Sequence, residues 1–282
     1  MRNSGLQWTI GALAALAAGP VLAGGASDWV DTAQSQVRLV AAADAVGTGD
    51  SVRLGLQFRL EPGWKVYWRS PGDAGVPPVL AWQGSHNLAA ADIDWPAPHR
   101  FNLYGLDTFG YKDEVLLPIT VHLARPGQDL TLKLEVTYGI CKDVCIPYDA
   151  VLTLDLPAGP PAPTAFRPLI DAYAAQVPKR VADPALAIRA ARIERIAGKQ
   201  VLSVTAAATT PFTAPDLVVE GPDGIRFAKP VVSLSNGGAT ARFQAAVDTA
   251  EATKPAGAAN VILTLIDGDR AIERKLVLEL LP

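Results

Sequence analysis

Over most of its length the chain alternates apolar and polar residues with a period of two, in short runs separated by glycine, proline, asparagine and aspartate. That period sends successive side chains to opposite sides of an extended backbone, so each run carries one apolar face that must be buried against another sheet. Residues 37–60 read as two such runs around Gly47-Thr48-Gly49-Asp50, with Leu54, Leu56 and Phe58 on one face and Arg53, Gln57 and Arg59 elsewhere. Further strands are predicted at 64–68, 79–82, 115–123, 130–138 and 150–156, separated by turn-rich pieces such as Ser70 to Gly75 and Arg125 to Asp129. The expectation is an antiparallel sandwich.

Residues 157–168 hold five prolines, at 157, 160, 161, 163 and 168, and almost no charge, which is the composition of a semi-rigid linker. Beyond it Thr164 is predicted to cap a short helix running to about Val177, with Phe166, Leu169, Ile170 and Tyr173 at helical spacing and Pro178 closing it. Alternation then resumes at 186–196, 200–207, 217–220, 225–234, 240–247, 260–266 and 271–280. This second all-β region has no cysteine or histidine, and nothing in it suggests catalysis.

The amino terminus reads as an export signal. Met1-Arg2, the apolar run from Ile10 to Ala18 and then Val21-Leu22-Ala23 supply its charged, apolar and small-residue regions, with cleavage expected after Ala23. No later run approaches the length of a membrane span. The chain is therefore expected to divide into a signal at 1–23, a first sandwich at 24–157, a linker with a short helix at 158–184 and a second sandwich at 185–282. The net charge of −3, or −4 once Arg2 is removed, is spread without long runs of one sign and gives no basis for binding nucleic acid or an anionic membrane.

Cys141 and Cys145 are the only cysteines. An extended strand would hold them about 13 Å apart, whereas a disulfide needs their Cα atoms within roughly 4.4 to 6.8 Å, so the backbone must fold over at Lys142-Asp143-Val144. Closing so small a ring removes only about 2 kcal/mol of denatured-state entropy. It is a weak staple, which favours redox chemistry over scaffolding. Lys142 would lower a neighbouring thiol's pKa and Asp143 would raise it, so the local sequence does not strongly activate a thiolate.

The run from Trp64 to Pro78 (Trp-Lys-Val-Tyr-Trp-Arg-Ser-Pro-Gly-Asp-Ala-Gly-Val-Pro-Pro), then Trp82 and the Asp94-Trp95-Pro96-Ala97-Pro98 segment, resembles the amino-terminal periplasmic domain of the DsbD and ScsB family of thiol:disulfide interchange proteins. Tyr104-Gly105, Gly110-Tyr111, Leu117-Pro118 and Tyr138 to Pro147 continue the resemblance. The resemblance implies immunoglobulin-like sandwiches and a periplasmic location. It also implies electron relay through the cysteine pair between a separate membrane-embedded thiol reductase and thioredoxin-like periplasmic proteins. By the same resemblance Cys145 attacks the partner and Cys141 resolves the mixed disulfide. A cap loop maps to Phe101-Asn102-Leu103-Tyr104-Gly105, where Leu103 replaces an aromatic. Tyr67 and Tyr138 are further candidates to line the site, and the tryptophans at 64, 68, 82 and 95 are assigned to the core. The Cys-x-x-x-Cys spacing favours the ScsB-like branch.

Two other readings compete. Paired thiolates suit Cu(I), and ScsB relatives are associated with copper tolerance, yet His86, His99 and His122 all precede the cysteines and their spacing makes no zinc site. A partner-binding sandwich with an inert local disulfide is the third. No cofactor and no metal ligand is expected.

Overall fold

The computed structural model describes residues 24–180, 183–253 and 256–281, and the proposed signal peptide lies outside them. The first half comprises β1 (Val30–Asp31), β2 (Ser35–Ala41), β3 (Ser51–Leu60), β4 (Lys65–Gly72), β5 (Val79–Ala81), β6 (Leu88–Ile93), β7 (His99–Leu103), β8 (Leu106–Lys112), β9 (Glu114–Leu123), β10 (Leu130–Cys141) and β11 (Cys145–Leu156). One sheet has the order β1-β2-β3-β9-β6 and the other β11-β10-β4-β8-β7, with β5 also pairing to β10. Leu39, Leu54, Phe58 and Ile119 of the first sheet meet Val66, Trp68, Leu132 and Tyr138 of the second in one core. All pairs are antiparallel, as the alternation required.

A short α-helix, α1 (Arg167–Ala174), follows the proline-rich segment and buries Ile170 against Val40 and Leu116. It starts later and ends earlier than the sequence suggested. Phe166 occupies the N-cap without a side-chain hydrogen bond, while the Thr164 hydroxyl donates to the Ala41 carbonyl at 2.5 Å and accepts from the Phe166 N–H at 3.1 Å. Threonine 164 thus ties the approach to the helix back to β2. At the other end Gln176 and Val177 bond to carbonyls three residues back, so the last turn tightens before Pro178.

The second half contains β12 (Leu186–Ile196), β13 (Lys199–Ala208), β14 (Asp216–Glu220), β15 (Arg226–Phe227), β16 (Val231–Ser235), β17 (Thr240–Asp248), β18 (Gly257–Asp267) and β19 (Arg270–Leu280). Sheets of order β12-β13-β17-β15, with β16 also on β17, and β14-β18-β19 enclose a second core that includes Leu202, Phe243, Val261 and Leu263. The run expected at 225–234 is two strands, because Pro230 has no N–H to continue a ladder. The fold is two immunoglobulin-like β sandwiches. The strands β6, β7 and β8 were not anticipated: β6 reads Leu-Ala-Ala-Ala-Asp-Ile, too rich in alanine for a visible period, and the β7–β8 hairpin looked like a loop.

Charged groups join the two sandwiches. The β4–β8 ladder is interrupted between Tyr67 and Gly72, and there Arg69 makes a two-pronged bond to Glu220, at 2.6 and 3.1 Å, and also reaches Glu273. Arg100 on β7 binds both carboxylate oxygens of Asp216 at 2.9 Å, the Leu217 carbonyl at 3.0 Å and, within its own hairpin, Asp107 at 2.9 Å. Glu273 has a side chain only 3 % exposed and otherwise pairs with Arg180. Arg69→Met is expected to destabilise the protein by about 3 kcal/mol, since it strands a buried carboxylate with one half-exposed partner. Urea denaturation followed by tryptophan fluorescence would measure this, and Arg69→Lys should recover only part, because an ammonium cannot reproduce the two-pronged contact.

Candidate active site

The β10–β11 hairpin brings the cysteines together. Its ladder runs without interruption from Leu130↔Leu156 to Cys141↔Cys145, and residues 142–144 make the bend. Even-numbered residues of both strands, Leu132, Leu134, Tyr138, Ile140, Leu152 and Leu154 among them, face the core. The odd-numbered Gly139, Cys141 and Cys145 therefore face outward. Cys141 and Cys145 are disulfide-bonded, with Cα atoms 4.1 Å apart. Their exposures differ sharply: Cys141 is 1 % accessible, while Cys145 lies at the surface.

The outer face at this point is covered rather than solvated. Ile140 pairs with Val66 and Cys141 with Lys65, so Lys65 and Tyr67 stand on the same side of the sheet as the disulfide. After β4 the chain crosses that face before returning as β5 along the same edge of β10. Glycine is required at 75, where φ is +118° and a Cβ would fall 2.3 Å from the Tyr67 ring. Val76 passes over Gly139.

Tyr67 is buried beneath this crossing and places its hydroxyl 3.4 Å from Cys145 Sγ. Burial raises the phenol's pKa, so the hydroxyl remains a donor well above neutral pH. Lys65 is 7 % exposed, with Nζ 3.3 Å from Thr108 Oγ1 and 5.0 Å from the centre of the Phe101 ring. Burial pulls the Lys65 pKa down.

The other sequence candidates are dispersed. Tyr138 belongs to the core, edge-on to Phe58 at 5.2 Å with its hydroxyl 3.3 Å from Ser35 Oγ, on the face opposite the disulfide. Phe101 approaches the site through Lys65, and a cleft separates its end of the hairpin from Lys142 and Asp143. Tyr104, at the β7–β8 turn with φ +52°, is 85 % exposed. The backbone of Leu103 pairs with Leu106, and its side chain is outside the described residues. Trp68 and Trp95 are buried in the core, with Trp64 and Trp82 packed against it. The sequence reading missed Lys65 and the crossing segment. The parity of β4 could have put Lys65 beside Tyr67, but nothing local reveals that β4 lies next to the end of β10.

No described cluster of three or more histidine, cysteine or acidic side chains could hold a metal ion. His122 instead pairs with Asp92 at 2.9 Å. Among the described residues no helix is long and apolar enough to cross a membrane.

Residues 36–157 match the family model described as thiol:disulfide interchange protein DsbD, N-terminal. The first sandwich is a DsbD-type amino-terminal domain. At family level this connects the chain to thiol:disulfide interchange. Residues 176–279 match a second family model, described as a domain of unknown function (DUF8393). The N-terminal periplasmic domain of ScsB from Proteus mirabilis superposes with a TM-score of 0.71 at 26 % identity, covering 90 % of this chain and 98 % of that one. Both sandwiches thus have a counterpart there. The reduced DsbD N-terminal domain from Neisseria meningitidis aligns at 18 % identity with a TM-score of 0.27, over 45 % of this chain and 89 % of that one, and at that score adds nothing to the assignment. No curated protein matches the chain.

In the Cys141→Ser form, where Cys145 is a free thiol, Tyr67→Phe is expected to slow alkylation of Cys145 at neutral pH by roughly two- to fivefold, the effect of losing about 1 kcal/mol of hydrogen bonding to a thiolate. Iodoacetamide labelling followed across pH would show the change, and an unaltered profile would exclude a role for the hydroxyl.

Proposed function

We propose that this chain is a periplasmic thiol:disulfide interchange protein whose Cys141–Cys145 pair carries two electrons between a membrane-embedded thiol reductase and thioredoxin-like proteins. The unequal exposure of the two sulfurs is the observation that supports this most directly. In the reduced protein the exposed Cys145 thiolate attacks a sulfur of the partner disulfide, forming a mixed disulfide and releasing the partner's other thiolate, which takes up a proton. Cys141, shielded from solvent but directly across the ladder, then attacks Cys145 Sγ. The internal disulfide reforms and the partner leaves with both cysteines reduced. The membrane reductase restores the dithiol by the reverse exchange.

On this reading the signal is removed after Ala23, residues 24–157 form the redox unit, and 185–282 form a second unit joined through the proline-rich segment and α1. Phe101, Leu103 and Tyr104 are assigned to a hairpin that flanks the disulfide, with Phe101 engaged through Lys65. Tyr67 is assigned to the Cys145 thiolate.

With a reduced membrane donor and an oxidised thioredoxin-like acceptor, Cys145→Ser is expected to abolish transfer. Cys141→Ser should accumulate a covalent adduct with the acceptor that dithiothreitol releases, visible on a non-reducing gel. Transfer by the double mutant at the native rate would overturn the proposal.

A further inference from the structure

Beside the disulfide a cleft of about 480 Å³ separates the cysteine loop from the end of the β7–β8 hairpin, and its charge is opposite to that of the chain. The whole sequence has 28 acidic residues against 25 lysines and arginines, yet this cleft is lined by Lys65, Lys112 and Lys142 with Asp143 as its one carboxylate. None of the three lysines has a carboxylate within ion-pairing distance among the described residues. Arg100, also on the cleft wall, is already neutralised by Asp107 and Asp216.

The register explains how these cations come to lie beside the sulfurs. Cys141 is directly opposite Lys65, and Lys65 is directly opposite Lys112, so one row across β10, β4 and β8 runs from the disulfide into two ammonium groups on the same face. Lys142 follows Cys141 in the chain and lies against Gly63, on the far side of the same opening. Like charges gathered in excess of the one carboxylate, and paired with none, repel one another, a cost that the arrival of an anion would offset.

We propose that this cleft receives an acidic segment flanking the reactive cysteine of the protein partner, so that charge selects and orients the partner for attack by Cys145. The inference deepens the exchange reading and rests on it. A carboxylate held between Lys112 and Lys142 would approach along the row that ends at Cys141, which brings the partner's sulfur to the hairpin end. Because both lysines are exposed, the attraction acts on encounter and weakens with salt.

Three small disulfides with the same two-methylene spacer between sulfur and polar head test this with no partner needed: dithiodipropionate (anionic), bis(2-hydroxyethyl) disulfide (neutral) and cystamine (cationic). Their rates with the reduced protein are measured by stopped flow at low and at about 0.5 M salt, each normalised to the neutral reagent. Charge reversal in Lys112→Glu/Lys142→Glu is expected to lower the anionic-to-cationic rate ratio by about tenfold or more at low salt, and Lys112→Gln/Lys142→Gln to give an intermediate value. High salt should compress the differences between the three proteins. A ratio unchanged within about twofold by charge reversal, or one that rises, overturns the docking proposal while leaving exchange intact. Failure of the native protein to react with any of the three reagents removes the exchange reading and the docking proposal with it.

Discussion

The register of one hairpin brings the two cysteines of this molecule together. From Leu130↔Leu156 to Cys141↔Cys145 the β10–β11 ladder has no bulge, and every second residue is anchored in the core. Slipping either strand by one residue would expose Leu132, Leu134 and Leu152 and turn the outward set inward. Burial of the leucines thus forces the cysteines to stand opposite each other on the outer face. Their proximity is a consequence of packing tens of ångströms of ladder, with the sulfur–sulfur bond added at its end.

What covers that outer face determines which sulfur solvent can reach. The chain between β4 and β5 passes over Gly139 and Tyr67, where a side chain at 75 would collide with the tyrosine ring, and Cys141 lies beneath while Cys145, one strand nearer the edge, is accessible. The asymmetry is therefore a property of strand order: β11 is the edge strand and β10 lies inside it. The same order brings Lys65 and Lys112 into line with Cys141. The second sandwich enters through Arg69 and Arg100, which fix β4 where its ladder breaks and β7 one residue past its start, so two of the strands flanking the cleft are tied to residues more than a hundred positions away.

The parts legible in the sequence were those encoded by nearest neighbours. Period-two alternation located both halves of the chain and most strand ends to within about one or two residues, because alternating Leu54, Leu56 and Phe58 leave few other ways to bury a face. The requirement that Lys142-Asp143-Val144 bend followed from strand rise and the short reach of a disulfide. Strands with little contrast escaped, as did the hairpin of β7 and β8, whose polar and aromatic residues resemble those of a loop. Tyr67 and Tyr138 show where local reading stops. Both are strand tyrosines near the cysteines in space, and only the parity of each strand relative to the core separates the one that meets Cys145 from the one that meets Phe58.

The energetics of the ring favour a bond that can open. Closing five residues contributes about 2 kcal/mol in the chain-entropy account, while the hairpin that holds them also buries six even-numbered β10 side chains from Leu130 to Ile140, each contributing an amount of similar size. Cleaving the disulfide removes the smaller term and leaves the larger intact. The two thiols then stay opposite each other, since the ladder that aligned them needs no covalent help. A structural disulfide usually bridges segments that would otherwise drift apart; this one bridges segments that are already held. Its opening therefore costs little order, and in the proposed exchange cycle that stored proximity would serve the return step, in which Cys141 attacks Cys145.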